Sequence, residues 1–513
     1  MKKFTYLSIV CAMSMLLFNA CQKEQDLLND TPGTVDGTNR WGSHHSNSTF
    51  YALAGNHLDE FNTHHPHAPI SSATISGLQS GETILAIDFR PATGQLYGLG
   101  STSRIYVIDP ATGVSRMIGM TPFTPVLSGT VAGFDFNPTV DRIRVVTSTG
   151  QNLRLNPETG ATAAIDLSIN GAPGAMVAAV AYQNNNAGQT TTALYDIDPA
   201  SDNLYLQNPA NDGTLSLVGS LNLNVEGEGG FDISPNNDAL AIFNVNNVST
   251  LFSVDLMTGG TTVMASYTGV SYTALAIPTA SVAYAITTTN SLLIFGLNGG
   301  SQNNTISKPI TGLAAGVTLI GLDMRPLNGQ LYALANNSTV YTINSASGAA
   351  TLAGTLSAPL SGSSFGFDFN PAVDRIRIVS NTGQNLRFNP NDGTTLVDGS
   401  VNPGTPQITA VAYTNNVAGT PTTALYGIDS DNKKLYQINP PNNGTLVLIG
   451  NINGNPPDAN GFDVGGTSGN AYALFKLGNK ARLFKINLTN GHASPNGSIG
   501  NFDINGFTIG LGF

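Results

Sequence analysis

The sequence predicts an all-β protein, a β-propeller of about ten four-stranded blades. Short apolar stretches, often followed by an Asp-containing turn, recur every 44 to 51 residues, which is the period of a four-stranded propeller blade. The two halves of the chain repeat each other with a shift of about 233 residues. Helical periodicity of any length is missing, and short apolar runs suit strands covered on both faces by neighbouring blades.

Residues 1–20 are predicted to be a lipoprotein signal peptide. Lys2 and Lys3 precede an uncharged, almost wholly apolar stretch at 4–18, which is too short for a membrane-spanning helix. Ala20 followed by Cys21 resembles a bacterial lipoprotein cleavage site, so Cys21 is the predicted lipidation site. The alternative is an ordinary secretory signal in which this cysteine is incidental.

Residues 21–47 are predicted to form a flexible polar tether, because the stretch is rich in Asn, Asp, Gly, Ser and Thr and lacks periodicity. Acidic residues soon after Cys21 resemble the surface-export signal of lipoproteins in some Gram-negative bacteria; the alternative is a solvated linker. We therefore expect an outer-membrane lipoprotein of the bacterial envelope, exposed at the cell surface if that signal operates. Its contact with the membrane would be the N-terminal lipid alone.

The rest of the chain divides into two repeat halves, 48–280 and 281–513. The blade pattern is clearest at 84–118, where four strands are predicted at 84–89, 95–99, 104–109 and 114–118. The turn Asp-Pro-Ala-Thr-Gly at 109–113 has a physical basis, because Asp caps the turn, Pro fixes φ and Gly accepts a positive φ. Related turns recur at 156–160, 389–393 and 439–444.

Two architectures fit these blades, namely one ten-bladed ring or two five-bladed propellers. The chain ends in a first-strand pattern at 506–513 and its ordered part begins with a second-strand pattern at 49–54. Pairing of these N- and C-terminal strands is predicted to close the ring and to remove exposed sheet edges. Only residues 278–280 separate the strand candidates at 272–277 and 281–286. That length is typical of a hairpin within one blade and slightly favours the single ring.

Three strings identify a family. GFDFNP, VDRIR and TGQNLR occur at 133–154 and again at 366–387 with nearly fixed spacing. They resemble the bacterial family named only as domain of unknown function 4394, in two tandem copies that cover about residues 48–513. The resemblance implies secretion and a propeller-like fold. It implies no established activity, and no catalytic residue is carried over.

Arginines concentrate in these strings and are candidate ligand-binding residues. Arg has a planar fork of donors that suits a carboxylate, a phosphate or an acidic sugar. The alternative is an internal Asp–Arg–Asn network that holds blades together, because buried charges are usually paired. The six arginines are Arg142, Arg144, Arg154, Arg375, Arg377 and Arg387.

Two further groups have metal-ligating chemistry. His64, His65 and His67 are candidate ligands for zinc, nickel or copper, although the segment aligns with a plain turn in the other half. Asp196, Asp198 and Asp202 suggest calcium but lack the spacing and the glycine of an EF-hand loop, so turn chemistry is the better interpretation. No cofactor is predicted, since phosphate-loop, dinucleotide and hydrolase motifs are missing from the sequence.

Composition restricts the function. The net charge of −11 argues against nucleic acid as a partner, and two cysteines exclude a disulfide scaffold and a cysteine-based zinc site. The sequence favours a binding module for a glycan or a protein, with the Asn-rich loops at 183–192 and 414–422 as contact surfaces. The alternatives are a glycan lyase or hydrolase on a propeller scaffold, and a structural component of the envelope.

Overall fold

The computed structural model describes residues 46–129, 131–297, 305–453 and 459–513. The predicted signal peptide at 1–20, Cys21 and the tether up to residue 45 lie outside these ranges. Across the ranges described, no helix is both long enough and apolar enough to span a membrane.

The prediction of an all-β fold with ten blades is confirmed. The described residues form ten four-stranded sheets, and every strand pairs with its neighbour in the antiparallel sense. We number them blades 1 to 5 in the first half of the chain and blades 6 to 10 in the second half. Two short 3-10 turns, Ala210–Asp212 and Pro441–Asn443, occupy equivalent places in blades 4 and 9.

The first half contains twenty strands. In chain order they are β1 (Thr49–Ala54), β2 (His57–Asn62), β3 (Ser71–Thr74), β4 (Ile84–Phe89), β5 (Leu96–Gly100), β6 (Arg104–Ile108), β7 (Ser115–Ile118), β8 (Ala132–Asn137), β9 (Arg142–Thr147), β10 (Asn152–Leu155), β11 (Thr162–Ile165), β12 (Ala179–Tyr182), β13 (Leu194–Asp198), β14 (Asn203–Gln207), β15 (Leu215–Ser220), β16 (Glu226–Ile233), β17 (Ala239–Val245), β18 (Val248–Val254), β19 (Thr261–Tyr267) and β20 (Ala274–Ala276). Blade 1 is β20-β1-β2-β3, and blades 2 to 5 are the successive groups of four from β4 to β19.

The second half repeats this arrangement. Its strands are β21 (Ala283–Thr287), β22 (Ser291–Phe295), β23 (Ile306–Pro309), β24 (Leu319–Met324), β25 (Leu331–Ala335), β26 (Thr339–Ile343), β27 (Ala350–Thr355), β28 (Phe365–Asn370), β29 (Arg375–Ser380), β30 (Asn385–Phe388), β31 (Thr395–Val397), β32 (Ile408–Tyr413), β33 (Leu425–Asp429), β34 (Lys434–Ile438), β35 (Leu446–Asn451), β36 (Ala459–Val464), β37 (Ala471–Leu477), β38 (Lys480–Ile486), β39 (Ala493–Gly500) and β40 (Ile504–Ile509). Blade 6 is β40-β21-β22-β23, and blades 7 to 10 run from β24 to β39.

The predicted closure is wrong, because the N- and C-terminal strands do not pair with each other. Strand β1 pairs with β20, with Ala52 opposite Leu275, and β40 pairs with β21, with Phe507 opposite Ala285. The expected hairpin across 278–280 does not form, since β20 and β21 belong to different sheets. Each half therefore closes on itself, and the molecule consists of two five-bladed propellers rather than one ring.

Contacts between blades follow the same division. The innermost strands β4, β8, β12, β16 and β20 contact one another in turn and β20 returns to β4, while β24, β28, β32, β36 and β40 form a second such ring. Ten apolar clusters each lie between two neighbouring blades. At the first closure, Phe50 and Phe61 of blade 1 pack with Ile242 of blade 5. At the second closure, Leu293 of blade 6 packs with Leu483 of blade 10.

Small residues allow the innermost strands to converge on each propeller axis. A Cβ atom on Gly230 would lie 2.0 Å from the backbone nitrogen of Leu275. The same atom on Gly366 would lie 2.6 Å from the nitrogen of Val411. Neighbouring backbones approach so closely here that only hydrogen fits between them, as expected for close-packed protein interiors.

Arg90 anchors the contact between the two propellers. Its side chain is fully buried, and Nε and Nη2 donate to the two carboxylate oxygens of Asp141 at 2.8 and 2.5 Å. Nη1 donates to the carbonyl of Asn328 in the second propeller at 3.3 Å, and the Ser345 hydroxyl of that propeller donates to Asp141 at 3.1 Å. Burial alone would raise the pKa of Asp141, but the charge and hydrogen bonds of Arg90 outweigh it and hold that pKa below its usual value.

Self-closure predicts that the first half folds alone. The fragment 46–280 contains both β1 and β20 and should unfold cooperatively as a monomer in urea, monitored by circular dichroism. A matched control is the fragment 84–316, which has similar length but lacks β1 and β40, so that β20 loses its partner strand and β21 keeps only β22. If the control folded as well as 46–280, the assignment of two self-closed propellers would be contradicted.

Candidate functional site

Two triads of aspartates mark the propeller axes. Asp88, Asp135 and Asp232 come from the innermost strands of blades 2, 3 and 5, and one carboxylate oxygen from each lies within 4.8 Å of the others. The second propeller repeats the group with aspartates from blades 7, 8 and 10. Its members are Asp323, Asp368 and Asp463. All six side chains are at most 1% exposed.

The strand ends hold these carboxylates through backbone N–H groups. Each aspartate accepts a hydrogen bond from the innermost strand of the next blade around the ring, and so joins two blades. In the first propeller, Phe136 N donates to Asp88 Oδ2 at 2.8 Å, Tyr182 N to Asp135 Oδ1 at 3.0 Å, and Ile277 N to Asp232 Oδ2 at 2.6 Å. In the second, Phe369 N donates to Asp323 Oδ2 at 2.7 Å, Tyr413 N to Asp368 Oδ1 at 3.0 Å, and Ile509 N to Asp463 Oδ2 at 2.7 Å.

The electrostatics of both triads disfavour three bare charges. Burial raises the pKa of Asp135 well above its usual value, and the charges of Asp88 and Asp232 add to the shift. Burial likewise raises the pKa of Asp88 and, to about 7, that of Asp232. The second triad behaves the same way, and the pKa of Asp463 is again raised to about 7. Carboxylates this close can share protons or ligate a hard cation.

One residue distinguishes the two triads. In the second propeller the Thr508 hydroxyl lies 2.9 Å from Asp323 Oδ1 and 2.9 Å from Asp463 Oδ2. Ala276 occupies the equivalent place in the first propeller, since it precedes Ile277 as Thr508 precedes Ile509. The first triad therefore lacks a hydroxyl that the second triad uses.

Sequence reasoning missed these triads although their signal was present. An Asp one or two positions before the end of an innermost strand recurs in three blades of each half. An Asp near a strand end also suits a turn, but these six carboxylates are buried and accept N–H groups from the next blade. Their proximity follows only from the five-blade closure, which the sequence did not predict.

The candidate ligand-binding arginines lie in networks between blades 3 and 4 and between blades 8 and 9. Arg144 is 1% exposed. Its donors reach Tyr182 Oη at 3.2 Å, Asn152 Oδ1 at 2.7 Å, Asp166 Oδ2 at 2.6 Å and Asn211 Oδ1 at 2.7 Å. Arg377 has the equivalent partners Tyr413, Asn385, Asp398 and Asn442. These contacts are those of the internal-network alternative, while binding of a ligand by these arginines stays a prediction.

The other four arginines are less buried. Arg154 and Arg387 each form a bidentate pair with the aspartate that Arg144 or Arg377 also contacts, and their side chains are 33% and 29% exposed. Arg142 and Arg375 each donate to the carbonyl of the preceding aspartate, at 2.7 and 2.9 Å.

An open cleft of about 500 Å³ lies on blade 10. It is formed by the turns β36–β37 and β38–β39, which stand at the same end of the sheet. Its polar lining includes Asn470, Lys485, Asn487, Asn490, His492 and Ser494. The amide oxygen of Asn487 accepts the Thr489 N–H at 2.8 Å and that of Asn490 accepts the His492 N–H at 2.9 Å, so the turn fixes both amides.

Comparison with known proteins decides the family. The family described as Domain of unknown function (DUF4394) matches residues 57–276 and 293–508. The chain belongs to the DUF4394 family. Each matched range begins in the second strand of its half, β2 or β22, and ends in the closing strand, β20 or β40, so one DUF4394 copy covers one propeller except its first strand, β1 or β21. The expected pair of tandem copies is confirmed.

No curated protein matches this DUF4394 tandem. Among solved structures it is similar to PorZ, described as an essential bacterial surface component of the type-IX secretion system of Porphyromonas gingivalis. The two share 14% identity over 86% of this chain and 56% of PorZ, with a TM-score of 0.26. The chain thus spans about half of that protein's length, and nothing of PorZ's role is transferred to it.

Within the described ranges, the histidine candidates of the DUF4394 tandem belong to no group of three or more ligand-type side chains. His64, His65 and His67 lie on the exposed connection between β2 and β3. Within the described ranges, the groups of three or more ligand-type side chains close enough to share an ion are the two aspartate triads.

Asp198 and Asp202 of the acidic turn at 196–202 accept hydrogen bonds that hold the local backbone. Asp198 caps its own turn through Ala200 N at 2.9 Å and Ser201 Oγ at 2.7 Å, and Asp202 accepts Val225 N at 2.8 Å. Asp196 is buried without a hydrogen-bond partner among the residues described, and Gly427 takes its place in the second copy.

The two Asn-rich loops of the tandem differ in exposure. In the loop 183–192, Gly188 lies against Ile294 and Ile306 of the second propeller, so the propeller contact covers part of this predicted surface. The equivalent loop 414–422 remains more open, with Val417 56% exposed.

The Arg144 network provides a test of the internal role of these arginines. Arg144→Ala should lower the free energy of unfolding by about 3 kcal/mol or more, because it leaves buried polar partners unsatisfied. Arg142→Ala is the matched control and should cost less than about 1 kcal/mol. Urea denaturation of the purified proteins measures both values. Equal losses for the two variants would refute a special structural role for Arg144.

Proposed function

We propose that this chain is a lipid-anchored β-propeller of the bacterial cell envelope that binds a polar, extended ligand, with a glycan as the favoured class. The N-terminal sequence supports the anchor, because a short apolar segment after Lys2 and Lys3 ends at Ala20 and Cys21. The DUF4394 family itself carries no assigned activity.

The observation that carries the binding role is the cleft on blade 10. Amides, a hydroxyl, one ammonium and one imidazole line it, and these groups suit the hydroxyls and acidic substituents of sugars. In the described part of the chain, the NH₂ groups of Asn487 and Asn490 donate to no protein acceptor, while the oxygens of both amides are held by the turn. A fixed amide with a free donor loses little freedom when it binds.

The placement of the charged groups favours binding over catalysis. Among the described residues, the carboxylates that cluster in groups of three are those of the two triads, and they are buried. His492 Nδ1 lies 3.4 Å from the Ser494 hydroxyl, but among the described residues no carboxylate orients this histidine, as a nucleophile–base pair would require.

The anchor is tested with Cys21→Ser. We expect the unaltered protein to incorporate labelled palmitate and to partition with membranes, whereas the variant should lose both properties because it lacks the sulfur to which the lipid is attached. Protease treatment of intact cells, with a periplasmic protein as leakage control, then reports surface exposure. A Cys21→Ser protein that still carries lipid would rule out this anchor.

The cleft is tested with the secreted portion 46–513 on an array of neutral and uronate-bearing glycans. Lys485→Ala and Asn490→Ala should each weaken binding about tenfold, as expected for loss of one charged or well-placed hydrogen bond. The matched controls are Ser253→Ala and Thr258→Ala at the equivalent places of blade 5, which should bind as the unaltered protein does. The proposal fails if no glycan binds or if the blade 10 variants bind normally.

A further inference from the structure

The two axial triads carry an inference that does not depend on the glycan proposal. We propose that each propeller binds one hard divalent cation, Ca²⁺ or Mg²⁺, between its three axial aspartates. In the first propeller the ligands are Asp88, Asp135 and Asp232. In the second they are Asp323, Asp368 and Asp463.

The negative charge of each triad has no counter-charge among the described residues. Three buried carboxylates at one point require compensation, because an unpaired buried charge is strongly destabilising. Among the residues described, no Lys or Arg forms an ion pair with any of the six aspartates. Their partners are backbone N–H groups and, in the second propeller only, Thr508. Compensation must come from outside the chain.

One carboxylate oxygen in each triad lacks a hydrogen-bond partner among the described residues. Asp135 Oδ2 and its equivalent Asp368 Oδ2 are buried and accept no hydrogen bond from the residues described. Buried polar atoms without a partner are rare in native proteins, and a bound ion is one explanation for them. The equivalent oxygen lacks a hydrogen-bond partner in both propellers, so this feature is common to the two copies.

Buried amides that follow the same innermost strands are a further observation. Asn185 and Asn416 each follow, by three residues, the tyrosine whose N–H holds the triad, Tyr182 or Tyr413. They are 0% and 3% exposed, and the Oδ1 atom of each accepts no hydrogen bond from the residues described. Both lie just beyond the end of an innermost strand. The same neutral oxygen donor is thus repeated at the same end of both axes.

Ligand type selects the class of ion, and the spacing of the oxygens is compatible with it. Oxygen ligands at about 2.4 Å from Ca²⁺ lie at most about 4.8 Å apart when they face each other across the ion. The three oxygens of each triad lie within 4.8 Å of one another. All donors are carboxylate or amide oxygens, which suit Ca²⁺ and Mg²⁺ and not the softer ions that prefer His or Cys.

The experiment counts ions. The secreted protein is purified in 1 mM Ca²⁺ and Mg²⁺, desalted, and analysed by inductively coupled plasma mass spectrometry, with a parallel sample unfolded and refolded in EDTA. We expect about two ions per chain before EDTA, and a lower melting temperature after it. The element detected distinguishes Ca²⁺ from Mg²⁺. If the unaltered protein holds no divalent ion, the carboxylates share protons instead and the proposal is overturned.

Variants assign the ions to the triads. Asp135→Asn and Asp368→Asn keep an oxygen for the tyrosine N–H but remove the charge, and each should reduce the count by about one ion. The control Asp196→Asn neutralises a buried carboxylate outside the triads and should leave the count unchanged. An ion that persists in Asp135→Asn or Asp368→Asn overturns the assignment for that propeller. If a variant does not fold, the EDTA comparison on the unaltered protein decides the question.

Discussion

The pairing of the last strand of each half with a strand near the start of the same half determines the rest of the structure. With β20 beside β1 and β40 beside β21, five innermost strands must meet around one axis in each half. Five strands leave little space at their centre. Glycines such as Gly230 and Gly366 stand where adjacent backbones almost touch, and polar side chains near the axis are excluded from solvent. Closure therefore sets both the packing and the electrostatics.

Much of the local structure could be predicted from the sequence, and the closure could not. The strand predicted at 84–89 coincides with β4, because a short apolar run bounded by a turn is a local pattern. The three-residue link at 278–280 is equally local and indicated a hairpin. The structure instead pairs β1 with β20, which are separated by most of the first half. The buried faces of Phe50 and Phe61 against blade 5 stabilise that pairing. Long-range packing of this kind leaves no signature in a single connecting segment.

The candidate site was only partly predictable for the same reason. The closeness of Arg144 to Asn152 and Arg154 follows strand alternation within one hairpin and could be anticipated, whereas its contacts with Tyr182 and Asn211 of blade 4 could not. The aspartates of a triad are separated by 47 and 97 residues in the first half, and they converge only if the ring has five blades. In a ring of ten blades the same residues would line a wide opening. Topology, not motif, brings these carboxylates together.

The chain enters and leaves each propeller through a single blade. Duplication of such a propeller adds a second closed propeller, because the strands of the new copy pair only with one another and no existing sheet is interrupted. The connection between the two bodies needs only the few residues between Ala276 and Ala283, and each copy can diverge without endangering the closure of the other. The two copies differ at such equivalent positions, where Ala276 corresponds to Thr508 and Asp196 to Gly427. The architecture thus gives evolution a modular way to lengthen a protein while every sheet stays complete.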